Sequence, residues 1–147
     1  MSEANKALVH RWFDEVWTKG RTEVIDELLD PETPAHGNAD EHGRALQTPD
    51  DFKRMYHAFR ESLSDIKVTI HETVAEGDLV AIYCTVRARH TGDSLGTKAT
   101  GKPIEYTGMT MARIKNGKIV EAWNSFDFLE LYKQVGLVQL GEREVGA

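Results

Sequence analysis

The fold is best predicted from one stretch of the chain, Gly117-Lys118-Ile119-Val120-Glu121-Ala122-Trp123-Asn124-Ser125-Phe126-Asp127. It follows Asn116, and an Asn-Gly pair is the strongest short-range hairpin signal because both residues tolerate positive φ. After that turn, its apolar residues alternate as they do in a strand. The stretch ends with Trp123 and Asp127 four residues apart, which places both on one side of the strand.

Asp127 has two interpretations. A carboxylate beside an indole suits an acid/base site in an apolar cavity, because burial raises the pKa of a carboxyl group towards a useful range. Asp127-Phe128-Leu129-Glu130 also approximates a capping box, in which the first side chain accepts a hydrogen bond from the fourth amide. The spacing alone leaves both roles open, and they can coexist.

The composition limits the class of protein. A chain of 147 residues is expected to form one domain, spanning residues 1–147, with room for a hydrophobic core. Its net charge of −6 argues against a nucleic-acid surface. Cys84 is the single cysteine, so no internal disulfide is expected. The N-terminal residues lack a signal-peptide pattern and no apolar run approaches about 18 residues, which favours a cytoplasmic protein without a membrane segment.

Three helices are predicted before the sheet. The first covers residues 2–19 and presents two aromatic-rich rows, and Gly20 follows it as a C-terminal cap. A short second helix begins after Thr22 and stops before Pro31. The third begins at Thr48-Pro49-Asp50-Asp51, which supplies a cap, a proline at the first helical position and acidic residues near the positive end of the dipole. Its apolar side contains Phe52, Met55, Tyr56 and Phe59.

The chain between the second and third helices is polar. Ala35-His36-Gly37-Asn38 and the residues to Gln47 predict a short strand or a loop over an opening. His36 is therefore a candidate pocket residue, although an exposed loop histidine is the more common outcome.

From Ile66 onward the apolar period becomes two, which predicts long antiparallel strands. In residues 79–90 Cys84 belongs to the apolar row, and His90 continues that row to the strand's end. The loop at residues 91–102 is long enough to cover a functional site. For residues 103–115 the pattern leaves open whether the Met109 face or the Thr110 face lies inside. A short helix is expected from Phe128 to Val135, and residues 137–147 could add a strand, a dimer contact or a disordered tail.

This order of elements predicts an α+β fold: a cone-shaped, curved antiparallel sheet with three N-terminal helices across its concave face. Such a sheet encloses a cavity lined by apolar side chains with a few polar groups at fixed points.

Three groups of residues carry a resemblance to a known family. They are residues 5–17; His90-Thr91-Gly92 with Thr100-Gly101-Lys102; and Thr107-Gly108-Met109 continuing through residues 113–114 and 116–121 to Trp123 and Asp127. These groups resemble the SnoaL-like polyketide cyclases, or ester cyclases, of the ketosteroid-isomerase-like cone fold. The resemblance covers about residues 4–136. It implies cofactor-free aldol ring closure in an apolar cavity, with Asp127 as the acid/base group and with His90 and Trp123 at positions that line the pocket.

Two departures from the family pattern lie near the expected mouth of the cavity. The loop after Gly92 reads Leu95-Gly96-Thr97-Lys98-Ala99-Thr100 where paired prolines are common, and Ala35 replaces a frequent aspartate. Both departures bear on the substrate rather than on the fold.

The predicted site has catalytic and ligand-binding members. Asp127 and His90 are the catalytic candidates, and the predicted ligand-binding residues are Trp123, Trp17, Phe13, His36, Tyr56 and Met109. No cofactor is expected, and no metal either, because the histidines lack metal-ligand spacing. The expected partners are a small apolar ligand or substrate and a second copy of the chain, with no nucleic acid and no membrane.

A non-catalytic binder of a small hydrophobic ligand remains the alternative, because one fold can carry either function. A steroid-isomerase site fits less well, since residues 109–111 offer no tyrosine or second acid. An epoxide-hydrolase site lacks the second inward carboxylate that it would need.

Overall fold

The computed structural model describes residues 2–33, 35–39, 45–46, 48–139 and 141. In chain order the elements are α1 (Ser2–Arg11), a π-helix (Trp12–Thr18), α2 (Glu23–Leu28), β1 (Ala35–Ala39), β2 (Ala45–Leu46), α3 (Pro49–Ser62), β3 (Leu63–Glu76), β4 (Leu79–His90), β5 (Pro103–Lys115), β6 (Lys118–Phe126) and α4 (Phe128–Gln134). The predicted α+β class is confirmed, with the curved sheet and the helices forming its two layers.

The sheet has the strand order β2-β1-β6-β5-β4-β3. Strands β3 to β6 form the predicted antiparallel meander. The β5–β6 turn is built by Asn116 and Gly117, whose φ angles of 52° and 74° are those that an Asn-Gly hairpin requires. Strand β1 joins β6 in parallel through His36 and Trp123, so the sheet is not wholly antiparallel.

The register between β4 and β5 shows which face of β5 is directed towards the interior. Cys84 is fully buried and pairs with Gly108, so the two residues share the inner face. Because side chains alternate along a strand, Thr110 and Ala112 also face inward, whereas Met109 and Met111 face outward. Met109 is 56% exposed.

The first helix changes its winding where it reaches the sheet. The predicted 2–19 helix is α-helical to Arg11 and π-helical from Trp12 to Thr18. Gly20 then adopts a φ of +71°, as expected for a residue just past a helix end. The π-helical part buries Trp12, Phe13 and Val16 against the sheet.

Helix α3 begins as its sequence predicts. The Thr48 hydroxyl accepts a hydrogen bond from the Asp51 amide at 3.1 Å, and Pro49 occupies the first helical turn. The helix buries Phe52, Met55 and Phe59 opposite the sheet. In the part of the chain that the structure describes, no helix is long and apolar enough to span a membrane.

Two expectations fall partly outside the described residues. The polar stretch up to Gln47 is described only as β1 and β2, and residues 40–44 and 47 lie outside. Of the chain's end, 140 and 142–147 also lie outside, so the three alternatives for that segment stay open.

Candidate functional site

The main cavity lies between the helices and the inner face of the sheet. Its empty volume is about 940 Å³ when the solvent space at its open mouth is included. Aromatic side chains form much of its wall, namely Trp12, Phe13, Trp17, Phe52, Phe59, Tyr106, Phe126 and Phe128. The space therefore favours a flat, apolar molecule.

The helical side of the wall depends on the π-helix. A π-helix forms hydrogen bonds between residues five apart, so Trp12 and Trp17 lie close to one face and both line the cavity. The ring of Trp12 packs on Phe52 with centroids 5.3 Å apart, and Trp17 meets Phe52 edge-on at 6.0 Å. These contacts hold both indoles against α3, so the wall is preformed.

The sheet side of the wall depends on Gly108. A Cβ at this position would lie 2.0 Å from the ring of Phe126, so only glycine allows that ring to lie over β5. Phe126 and Phe128 then stack with centroids 6.0 Å apart. The strand and the start of α4 thereby form one continuous aromatic surface.

The polar groups of the cavity are neutral. The Thr110 hydroxyl donates to Asn124 Oδ1 at 2.9 Å, and Asn124 Nδ2 donates to the backbone oxygen of His36 at 3.1 Å. Burial raises the pKa of the Tyr106 phenol, so this hydroxyl stays protonated. Among the described lining residues there is no Asp, Glu, Lys, Arg or His.

Sequence reasoning missed Tyr106, Thr110 and Asn124. Tyr106 and Thr110 lie on the same face of the sheet as the apolar row that contains Cys84. Recognising this from the sequence would require the β4–β5 register. Asn124 lies beyond the irregularity in the β5–β6 register near Arg113, so its face could not be counted from the hairpin turn.

Asp127 lies at the edge of this site rather than in its wall. Its Oδ1 accepts a hydrogen bond from the Glu130 amide at 3.1 Å, which caps α4. Half of the predicted capping box forms, because the Asp127 amide donates to Thr107 at 2.9 Å instead of to Glu130. The carboxylate is exposed, although its sequence neighbours Phe126 and Phe128 both line the cavity.

His90 is fully buried at the base of the loop at residues 91–102. Its Nδ1 accepts a hydrogen bond from the Thr100 amide at 3.1 Å, so in the neutral ring the proton resides on Nε2. That Nε2 is buried and has no partner among the described residues. The inward orientation is as predicted, but His90 is not part of the described cavity wall.

The other predicted ligand-binding residues divide into two groups. Phe13 and Trp17 line the cavity. Trp123, His36, Met109 and Tyr56 do not, and their expected positions are corrected here. Tyr56 lies behind the wall, where its hydroxyl donates to Val16 O at 2.7 Å.

Trp123 and Met109 lie on the outer face of the sheet because strand residues alternate between faces. Trp123 is opposite Met111 and stacks on His36 with centroids 5.6 Å apart. His36 Nε2 lies 2.9 Å from Glu121 Oε2, also on that face. The indole and Asp127 are therefore not joined in one pocket, contrary to the expectation from their spacing.

The comparisons with known proteins agree with this architecture. Residues 7–135 match the family model of the SnoaL-like polyketide cyclases. The chain is 28% identical over 126 residues to the aklanonic acid methyl ester cyclase of Streptomyces peucetius, covering 83% of this chain and 84% of the relative.

Solved structures give the same result. Wild-type IdmH from Streptomyces antibioticus, proposed to be a polyketide cyclase, is 28% identical with a TM-score of 0.75, covering 90% of this chain and 98% of that one. A proposed polyketide cyclase from Acidithiobacillus ferrooxidans is 25% identical with a TM-score of 0.75, covering 95% and 99%. A Catenulispora acidiphila protein with a ketosteroid isomerase-like fold is 17% identical with a TM-score of 0.69, covering 89% and 93%, which supports the fold alone. This chain belongs to the SnoaL-like polyketide cyclase family.

Proposed function

We propose that the protein binds a small, polyketide-like or polycyclic keto-ester in its cavity and closes a ring in it by cofactor-free aldol chemistry. The observation that carries this proposal is the aromatic cavity with neutral hydrogen-bonding groups in its wall, in a chain of the cyclase family. The aklanonic acid methyl ester cyclase supports the substrate class, since its name describes a cyclase of a methyl ester.

The reaction makes limited demands on the protein. A base removes a proton from a carbon flanked by two carbonyl groups, the resulting enolate carbon attacks a third carbonyl of the same molecule, and the alkoxide takes up a proton. The product is an isomer of the substrate, so no oxidant or reductant is consumed. General acid/base catalysis contributes about 10²–10⁴-fold to such steps.

Asp127 is the proposed acid/base group. It lies in the chain between Phe126 and Phe128, which both line the cavity. Its Oδ2 has no hydrogen-bond partner among the described residues. The free oxygen can take the substrate proton while Oδ1 keeps its bond to the Glu130 amide. His90 is assigned a supporting role, because its contacts with Thr100 and Lys102 hold the loop at residues 91–102.

A non-catalytic ligand binder is the second candidate function. It is favoured by the cap that Asp127 forms and by the absence of a charged side chain from the described cavity wall. A binder needs only the apolar wall and the neutral polar groups, all of which this cavity provides.

Turnover of aklanonic acid methyl ester separates the two candidates. The product is followed by liquid chromatography, with mass spectrometry verifying that its mass is unchanged. We expect conversion by the wild type and a loss of at least about 100-fold in Asp127→Asn.

The matched control is Asp93→Asn, because the Asp93 carboxylate also accepts a backbone hydrogen bond, from Ala99, but does not line the cavity. Equal turnover in the wild type and Asp127→Asn would contradict the acid/base role. Binding of the ester without any conversion would favour the binder.

A further inference from the structure

The Tyr106 hydroxyl is a hydrogen-bond donor that faces the cavity and has no partner among the described residues. The residue is 7% exposed and lines the cavity. Its ring is held between Phe126 and Phe128, with centroid distances of 6.3 and 6.2 Å. None of the described residues forms a hydrogen bond with its hydroxyl, whereas the similarly buried Tyr56 hydroxyl donates to Val16 O. The hydroxyl is open to the cavity, so a ligand acceptor can reach it in largely apolar surroundings, where a hydrogen bond is stronger than in water.

A second polar position lies further along the same strand. Thr110 is four residues from Tyr106 on the same face, which separates their Cα atoms by about 13 Å at the usual rise per residue. Its partner Asn124 uses one amide hydrogen for the His36 carbonyl, so the second hydrogen remains available. Between the two positions, the Phe126 ring covers Gly108.

The geometry points to Tyr106 as a specificity-determining residue whose hydroxyl donates a hydrogen bond to a ketone or quinone oxygen of a polycyclic ligand. The Thr110–Asn124 pair contacts a second oxygen at the other end of the same molecule, and Phe126 supports the rings between them. This assignment rests on the proposed function for the class of ligand. In the aldol reaction the same donor would stabilise the enolate, because negative charge develops on that oxygen.

A matched pair of probes tests the assignment. 9-Fluorenone and fluorene have the same tricyclic frame, but only fluorenone has a carbonyl oxygen. The protein is titrated into each probe in an isothermal titration calorimeter. We expect the wild type to bind fluorenone about tenfold more tightly than fluorene, as one hydrogen bond allows. In Tyr106→Phe we expect fluorenone affinity to fall by about that factor, with fluorene affinity unchanged.

Tyr132→Phe is the control, because it removes the same atom from a phenol outside the described cavity wall. It should keep the preference for the ketone. The assignment would be overturned by a wild type that binds neither probe or binds both equally, whatever the stability of the variants. A Tyr106→Phe protein that keeps the preference would also overturn it.

The two proposals fail separately. Ketone preference that depends on Tyr106, together with no turnover of the keto-ester, would refute cyclisation and support the assignment of Tyr106. Asp127-dependent turnover that Tyr106→Phe leaves unchanged, with the ketone preference also intact, would support cyclisation and refute the assignment.

Discussion

The Asp127 carboxylate has a structural role that can be separated from its proposed chemistry. Its Oδ1 caps α4 through the Glu130 amide. Asparagine caps a helix about as well as aspartate, whereas alanine removes the cap at a cost of about 1 kcal/mol. We therefore expect Asp127→Asn to preserve the free energy of unfolding in urea and Asp127→Ala to lower it by about 1 kcal/mol. An Asn variant as unstable as the Ala variant would show that the charge stabilises the fold, and turnover would then need correction for unfolded protein.

Cys84 gives a prediction about pH. Burial raises the pKa of its thiol from about 9 to about 11, so the folded protein keeps the thiol protonated in a range where the unfolded chain loses the proton. The unfolded state binds fewer protons there, and stability must fall as pH rises from 9 to 11. We expect the stability advantage of the wild type over Cys84→Ala to shrink by up to about 2 kcal/mol in that interval.

Chemical denaturation of both proteins at pH 8, 9, 10 and 11 provides the measurement. Using the difference between them cancels the contributions of Tyr56 and Tyr132, whose pKa values burial also raises. The pKa of Tyr106 is raised by burial and further by the Cys84 charge, so the folded protein keeps this phenol protonated. If the stability difference between the wild type and Cys84→Ala stays constant from pH 8 to pH 11, the folded protein must admit water or a cation to the thiolate.

The sequence alone predicted the side of the sheet for some residues and failed for others. His90 could be placed inside because an uninterrupted alternation connects it to Cys84. The same alternation cannot tell where along the inner face the cavity ends, and His90 lies beyond that end. Trp123 was misplaced because strand spacing shows which residues share a side, whereas only the sheet pairing shows which side is covered.

At the scale of elements, the β5–β6 pair depends on one missing Cβ. Gly108 pairs with Phe126, whose ring occupies the space of a side chain at residue 108. Alanine there would force the ring from its position, and overpacking of this kind costs about 1–3 kcal/mol. We expect Gly108→Ala to lower the free energy of unfolding by that amount and to weaken ligand binding at the cavity.

A double-mutant cycle tests whether the ring is the cause. Phe126→Leu removes the aromatic ring, so Gly108→Ala should cost less in that background than in the wild type. Gly101→Ala serves as a control, since a Cβ there meets nothing within 4 Å, although its φ of +70° adds some strain. If the losses of unfolding free energy caused by Gly108→Ala and Phe126→Leu are additive, the Phe126 ring is not what the added methyl group displaces.

The helices and long strands could be predicted from local signals, whereas two elements could not. The apolar rows of the first helix fit α-helical spacing, and the change to π-helix begins at Trp12, whose ring packs on Phe52 of α3. Strand β1 contains Gly37 and Asn38, which seldom favour strands. Its pairing with β6 is a long-range contact that no local pattern reports. A Cβ at Gly37 would lie 1.8 Å from Asn124 O, so glycine allows this close approach.

At the scale of the whole molecule, the order of helices and strands was enough to predict the fold. Four consecutive strands with a strong hairpin turn can form a meander, and three apolar helices must then cover one face of it. Substrate identity depends on a few side chains in the wall and mouth of the cavity. One fold can carry many different sites, which is why the cyclase family could be recognised when its ligand could not.

The outer face of the sheet leads to the last prediction, a homodimer. Met109 is 56% exposed, Tyr83 38% and Met111 37%, and Trp123 borders them through its pairing with Met111. Exposed apolar side chains grouped on one sheet face are typical of a protein–protein contact. We expect light scattering coupled to size-exclusion chromatography to give twice the chain mass at micromolar concentration, and Met109→Glu to give the monomer mass. Leu137→Glu, a matched change at a 43%-exposed residue beyond α4, should leave the dimer intact. A monomer mass for the wild type would refute the dimer, whereas a dimer that withstands Met109→Glu would place its interface away from this face.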